Sequence, residues 1–146
     1  MKIVITGILG YVGTELVNLL LRKHLYEDTI IGIDKDFIPD KVAYLVQHGI
    51  QFYQRDLFNI KDILSDADIC FHLAAVTKVP QTLAQSNPVI DAEITKIGVD
   101  GTREVINNTP KHCKIIFTST HVVWENLKET VFDINEEYPV CPILAY

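Results

Sequence analysis

Short runs of β-branched and aromatic residues alternate with longer stretches of helical apolar spacing along most of this chain. That rhythm restricts the fold more than any other feature. KIVIT (2–6) is the first run, and YVGTELVNLLLRKH (11–24) follows with apolar residues at Val12, Leu16, Leu19 and Leu20, a helical stripe ending in basic residues. TIIGID (29–34) is a second strand. PDKVAYLVQHG (39–49) is a helix with proline near its start and glycine past its end. IQFYQRD (50–56) is a third strand, and NIKDILSD (59–66) a short helix that Asn59 could cap. A fourth strand spans about Ile69 to Leu73, helical sequence follows from Val79 to about Asn108, and KIIFTST (114–120) is the fifth strand. The segment from Val122 to Tyr146 reads as loop. Strands and helices in strict alternation make an α/β fold with a parallel sheet, and right-handed crossovers make it doubly wound rather than a barrel, which would need eight such units.

The chain has 146 residues, enough for one core, and its net charge of −6 argues against nucleic acid as a main partner. No apolar run reaches bilayer length, and Gly7, Gly10 and Glu15 break up the N-terminal apolar stretch that a signal peptide would need. Three cysteines without paired spacing fit a reducing compartment, so a cytoplasmic location is expected. The five histidines are scattered, and no metal site is expected.

Three of the chain's seven glycines stand at Gly7, Gly10 and Gly13, between the first strand and the first helix. In a doubly wound sheet this turn is where a dinucleotide's pyrophosphate docks. Gly7 can leave the strand in a tight turn, Gly10 lets backbone approach phosphate at the helix N-terminus, and Gly13 allows close helix–strand packing. With Gly7 and Gly10, Tyr11 and Val12 at the helix start are candidate cofactor-binding residues. The spacing is GxxGxxG, one residue longer than the commoner fingerprint, and an ordinary strand-to-helix turn could carry the same glycines. About 20 residues on, Asp34 ends the second strand, placed to accept from both hydroxyls of an adenosine ribose. Its charge favours NAD over NADP, while neighbouring Lys35 pulls the other way. Asp34 could equally be a turn former.

TGILGYVG (6–13), Asp34 in IIGID, RDL (55–57), FHLAA (71–75), GVDGT (98–102) and IIFTSTHVVW (115–124), in this order, resemble the extended short-chain dehydrogenase/reductase family, most of all its nucleotide-sugar epimerases and dehydratases. The resemblance covers essentially the whole chain and implies a Rossmann-type NAD-binding domain over residues 1–146. It implies that Asp56 takes the adenine amino group, with Leu57 near the ring. Leu73, Ala74 and Ala75 would line the floor under the adenosine and nicotinamide ribose. His72 is taken as a strand-end histidine rather than a catalyst.

Thr120 matches the family's serine-or-threonine position, which hydrogen-bonds the substrate oxygen, and Thr118 would be structural or touch the cofactor. Tyr146, 26 residues after Thr120 and in a PxxxY context, matches the first residue of YxxxK. The implied reaction is reversible hydride transfer: tyrosinate takes a proton from a sugar hydroxyl while NAD⁺ takes hydride from the same carbon. A phenol is only about 0.1% ionised at pH 7, which is why the family uses a lysine four residues later. The chain is therefore expected to be the cofactor-binding N-terminal portion of a longer enzyme, its sheet truncated after about five strands and its C-terminal substrate domain absent, with no useful turnover alone. Departures from the family pattern are Gly98 in place of asparagine, Trp124-Glu125 in place of Tyr-Gly, and about one extra helical turn before Gly101-Thr102. Two other functions stay open: a non-catalytic NAD-binding sensor or interaction module, and a reductase of a non-sugar ketone. A homodimer is possible.

Overall fold

The computed structural model describes residues 1–23, 28–76, 83–85, 87–124, 126 and 134–142. Five parallel strands, β1 (Lys2–Thr6), β2 (Thr29–Asp34), β3 (Gln51–Gln54), β4 (Ile69–His72) and β5 (Lys114–Phe117), lie in the order β3-β2-β1-β4-β5. The chain builds outward from β1 to β3, then returns to place β4 on the other side of β1. Ile3 accordingly pairs with Ile30 on one flank and Ile69 on the other. The order reverses between β1 and β4, and such a switch point opens a crevice at the carboxyl ends of the strands.

Alternation along the strands divides the core between two faces. Ile3, Ile5 and Ile30 pack with Ile8, Val17, Leu20 and Leu45 beneath α1 (Tyr11–Arg22) and α2 (Pro39–Gln47). Val4, Ile31, Ile33 and Cys70 pack on the opposite face with Leu57, Ile63, Leu64 and Val105, which belong to α3 (Lys61–Leu64), α5 (Thr102–Asn108) and the turn before α3. Burial of each such side chain stabilises the fold by roughly 1.5–3 kcal/mol. Among the described residues, no helix is long and apolar enough to cross a membrane.

The structure corrects three local expectations. The buried stripe of α1 is Gly13–Val17–Leu20, with Leu16 half-buried, whereas Val12 and Leu19 are 53% and 45% exposed. Gly13 has to face the preceding turn, and that rotates the helix away from the apolar stripe. Asn59 does not cap α3. Asp56 accepts from the Phe58 N–H and opens a 3₁₀ turn at Leu57–Asn59, so Asn59 already lies within a turn and buried Ile60 stands at the helix start. The fifth strand ends at Phe117, leaving Thr118, Ser119 and Thr120 beyond it. α4 (Pro88–Thr95), capped by Asn87 through the Val89 and Ile90 N–H groups, runs through a π-helical segment, Lys96–Gly101, into α5. Glycines at both Gly98 and Gly101 ease this wide turn.

Candidate functional site

The glycine turn connects β1 to α1 at the switch point. Gly7 has φ +70°, and its N–H donates to the Ile33 carbonyl at 2.8 Å, tying the turn to β2. A Cβ on Gly7 would lie 2.8 Å from the Ala74 backbone, and one on Gly13 would lie 2.6 Å from the Gly7 carbonyl and 2.7 Å from Ile8 Cα. Those two glycines are packing requirements. Gly10 differs: among the described residues a Cβ there meets only the Gly7 carbonyl within 4 Å, at 3.1 Å, and the residue is exposed. Gly10 is the N-cap of α1, with no side-chain cap and no acidic residue in the first helical turn. The leading N–H groups at Tyr11 and Val12, together with the helix dipole, thus present an anion-binding end to an open face.

Asp34 braces the turn from β2. One carboxylate oxygen accepts from the Leu9 N–H at 3.0 Å and the other from the Asp36 N–H at 3.2 Å. A carboxylate offers about four acceptor positions, so each oxygen retains a lone pair for a further donor. Lys35 is exposed, its ammonium 3.9 Å from the Asp36 carboxylate. Lys41 is a residue that the sequence patterns did not reveal. From the first turn of α2 its ammonium donates to the Leu9 carbonyl at 2.6 Å and to Thr14 Oγ1 at 3.3 Å. Nothing local in PDKVAY marks it, because both partners are about 30 residues away.

Two residues past β3, exposed Asp56 accepts from the Phe58 N–H, and Leu57 is only 7% exposed, beneath Gly101. After β4 the Leu73 N–H donates to the Thr6 carbonyl and the Ala74 N–H to Thr6 Oγ1. Leu73 and Ala74 are half-buried and Ala75 is exposed. His72, 1% exposed, bonds Thr6 through Nδ1 at 2.7 Å and Thr102 through Nε2 at 3.0 Å, and burial pushes its pKa down. The sequence reading gave the Thr6 and Thr102 side chains no role.

After β5, Thr118 is exposed and Thr120 half-buried, its hydroxyl accepting from the Val122 N–H at 3.3 Å. Tyr146 lies outside the described residues. The ends of the strands therefore gather the glycine turn, Asp34–Lys35, Asp56–Leu57, Leu73–Ala75 and Thr118 along one edge of the sheet. A separate cavity of about 420 Å³ lies between α1 and α2, lined by Val17, Leu45 and Tyr44 among others, and includes none of Gly10, Asp34, Asp56 and Ala74. Ile8 and Leu9 of the glycine turn form part of its wall.

A model of the 3-beta hydroxysteroid dehydrogenase/isomerase family matches residues 4–145. Among curated proteins, CDP-paratose 2-epimerase of Salmonella typhi is 27% identical over 147 residues, spanning 97% of this chain and 43% of the relative. The dTDP-glucose 4,6-dehydratase of Streptomyces niveus is 25% identical over 158 residues, spanning 100% of this chain and 45% of the relative. The chain thus spans less than half the length of either protein. Among solved structures, a UDP-glucuronic acid 4-epimerase of Bacillus cereus, determined with a fluorinated UDP-sugar and NAD, superposes with a TM-score of 0.82 at 24% identity, over 99% of this chain and 47% of that one. That likeness shows a shared fold.

Proposed function

The chain belongs to the 3-beta hydroxysteroid dehydrogenase/isomerase family, and on that footing we propose that the protein binds NAD across its strand ends and epimerises or dehydrates a nucleotide sugar. The observation that carries the reading is the uncapped start of α1 at Gly10, open on its outer side and braced by Asp34. The donor set fits the cofactor: backbone N–H groups for phosphate, a carboxylate with spare lone pairs for a ribose diol, and small residues at Ala74 and Ala75 for close approach.

Bound NAD supplies a hydride acceptor that can return the hydride within one turnover. The chain's own groups do the rest. Tyr11 and Val12 N–H groups donate to the pyrophosphate, and the lone pairs of Asp34 not taken by Leu9 and Asp36 accept from the ribose hydroxyls. A 2′-phosphate would meet that carboxylate, and the ammonium of Lys35 is offset by Asp36, so NAD is preferred over NADP. Asp56 accepts from the adenine amino group beside Leu57, Leu73 to Ala75 form the floor, and Thr118 borders the cofactor. Thr120 Oγ1 donates to the hydroxyl oxygen on the sugar carbon that is oxidised, and Tyr146 Oη, as the phenolate, takes that hydroxyl's proton.

The test is calorimetric titration of the full-length protein with NAD and NADP, followed by incubation with UDP-, CDP- and dTDP-hexoses and NMR analysis of products. NAD binding with a changed sugar is expected. A folded protein that takes no NAD overturns the cofactor reading. NAD binding without any sugar turnover overturns the enzymatic one.

A further inference from the structure

We infer that His72 is a positioning residue of the cofactor crevice, a neutral imidazole that joins the floor after β4 to the glycine turn and to the start of α5. The inference rests on the cofactor reading above and adds to it a residue that does not touch the ligand. Three segments meet at this ring: Thr6 is 66 residues away in sequence and Thr102 is 30. Thr6 and His72 are direct partners in the β1–β4 ladder, and both are buried. The ring of Phe117, 5.6 Å away, stands beside the imidazole from β5.

Proton accounting assigns the tautomer. The Thr6 hydroxyl accepts from the Ala74 N–H at 3.3 Å, and its own proton has one acceptor among the described residues, His72 Nδ1 at 2.7 Å. Nδ1 is therefore bare, and the proton sits on Nε2, where it donates to Thr102 Oγ1 at 3.0 Å. The reverse tautomer would leave the Thr6 hydroxyl proton buried and unsatisfied. The charged residues of the packed elements are engaged elsewhere. Lys2 of β1 pairs with Asp66, Arg103 of α5 with Asp100, and Glu104 of α5 holds Asn108, while Lys114 sits at the far end of β5 opposite Ile69. No carboxylate among these is placed to support an imidazolium, and burial keeps the ring neutral.

The consequences reach the crevice from both sides. Thr6 Oγ1 fixes the Ala74 N–H, and the Ala74 backbone is the surface on which Gly7 turns, so close that a single added methyl at Gly7 would stand 2.8 Å from it. On the other side, Thr102 follows Gly101, which rests on Leu57 beside Asp56. A fixed donor–acceptor polarity in the imidazole holds the phosphate turn, the ribose floor and the adenine side in one arrangement.

The test combines imidazole NMR of the protein with NAD titrations of Thr102→Val and Thr102→Ser. The expected result is the Nε2–H tautomer in the unsubstituted protein, NAD affinity weaker by up to about tenfold in Thr102→Val, as one lost part-buried hydrogen bond implies, and affinity restored by Thr102→Ser, which keeps the hydroxyl. Valine matches threonine in shape, and a half-buried site tolerates it. An Nδ1–H tautomer overturns the inference, and it can be read without any variant. Unaltered NAD affinity in folded Thr102→Val overturns it too. Absence of NAD binding by the unsubstituted protein is a different failure, that of the cofactor reading itself.

Discussion

Gly13→Ala and Gly10→Ala separate the two uses to which the glycine turn is put. At Gly13 a new Cβ would stand 2.6–2.7 Å from the Gly7 carbonyl and from Ile8 backbone atoms, against ordinary contact from 3.4 Å, so α1 would have to lift by roughly 0.7 Å. Backbone cannot swing aside as a side-chain tip can. The overpacking cost therefore sits at the upper end of the usual range, about 3 kcal/mol, and the better helix propensity of alanine returns about 1 kcal/mol. The net loss is about 2 kcal/mol, which for a domain of this size lowers Tm by about 6 °C. At Gly10 the single close atom among the described residues is the Gly7 carbonyl at 3.1 Å, and replacing an N-cap glycine by alanine costs about 0.5–1 kcal/mol, or about 2 °C. The ligand responses run the other way. The methyl at Gly10 occupies the face that phosphate would approach, and NAD affinity should fall at least about tenfold, or about 1.4 kcal/mol, with Gly10→Val abolishing it. Thermal melts and NAD titrations on the two variants check both halves. If Gly13→Ala melts with the unsubstituted protein, α1 is not seated on the turn. If Gly10→Val binds NAD as before, phosphate does not dock there.

Asp34→Ala should narrow the preference for NAD over NADP, because the carboxylate that repels a 2′-phosphate is gone; an unchanged ratio of dissociation constants removes Asp34 from cofactor selection. The His72 pKa is held below its ordinary value of 6.5 by burial, so the unfolded chain binds this proton first. Its contribution to stability is complete above about pH 6.5 and is lost as pH falls below that value through the depressed folded pKa, with a slope of up to about 1.4 kcal/mol per pH unit. Denaturant melts at stepped pH should show this slope and His72→Gln should lack it; equal slopes would mean that His72 does not titrate on unfolding. The Cys70 thiol, raised to about 12 by burial, should resist iodoacetamide at pH 8 while the protein is folded, and rapid labelling read by mass spectrometry would contradict its placement in the core.

The first two strands were legible as β-branched runs closed by Gly7 and Asp34, whereas β3, β4 and β5 stop at Gln54, His72 and Phe117, short of their expected ends, where no glycine, proline or acidic residue directly follows. Lys2–Thr6 and Thr29–Asp34 fall where the sequence places them. The exposed flank of α1 was misread for a definable reason. Apolar periodicity weighs Val12 and Leu19 as core, yet a glycine can dictate which side of a helix faces inward, and it adds nothing to an apolar stripe. The displaced cap at Asn59 has a similar origin: two candidate caps, Asp56 and Asn59, lie three residues apart, and the upstream one forms its turn first along the chain. Motif order put the candidate crevice residues at or just past the strand ends, where the structure has them. Lys41, and the roles of Thr6 and Thr102, were not, because each contact joins segments far apart in sequence and leaves no local pattern.

Long-range contacts of this kind are what hold the glycine turn in one conformation. A turn of this composition is costly to order, since glycine gives up more backbone freedom on folding than any other residue. Here bonds from two elements hold it: from β2 the Ile33 carbonyl accepts from Gly7 and Asp34 accepts from Leu9, and from α2 Lys41 donates to the Leu9 carbonyl. The Ala74 backbone closes a third side, itself held by Thr6. The entropy of ordering the turn is thus offset during folding by groups of β2, α2 and β4, and an arriving phosphate does not have to supply it. Substitution of Lys41 or Thr6 should accordingly weaken an anion that neither residue touches, whereas at Gly10 the loss comes from direct obstruction. On the proposed reading, affinity at this crevice would then be a property of the sheet and its flanking helices, expressed through four residues of turn.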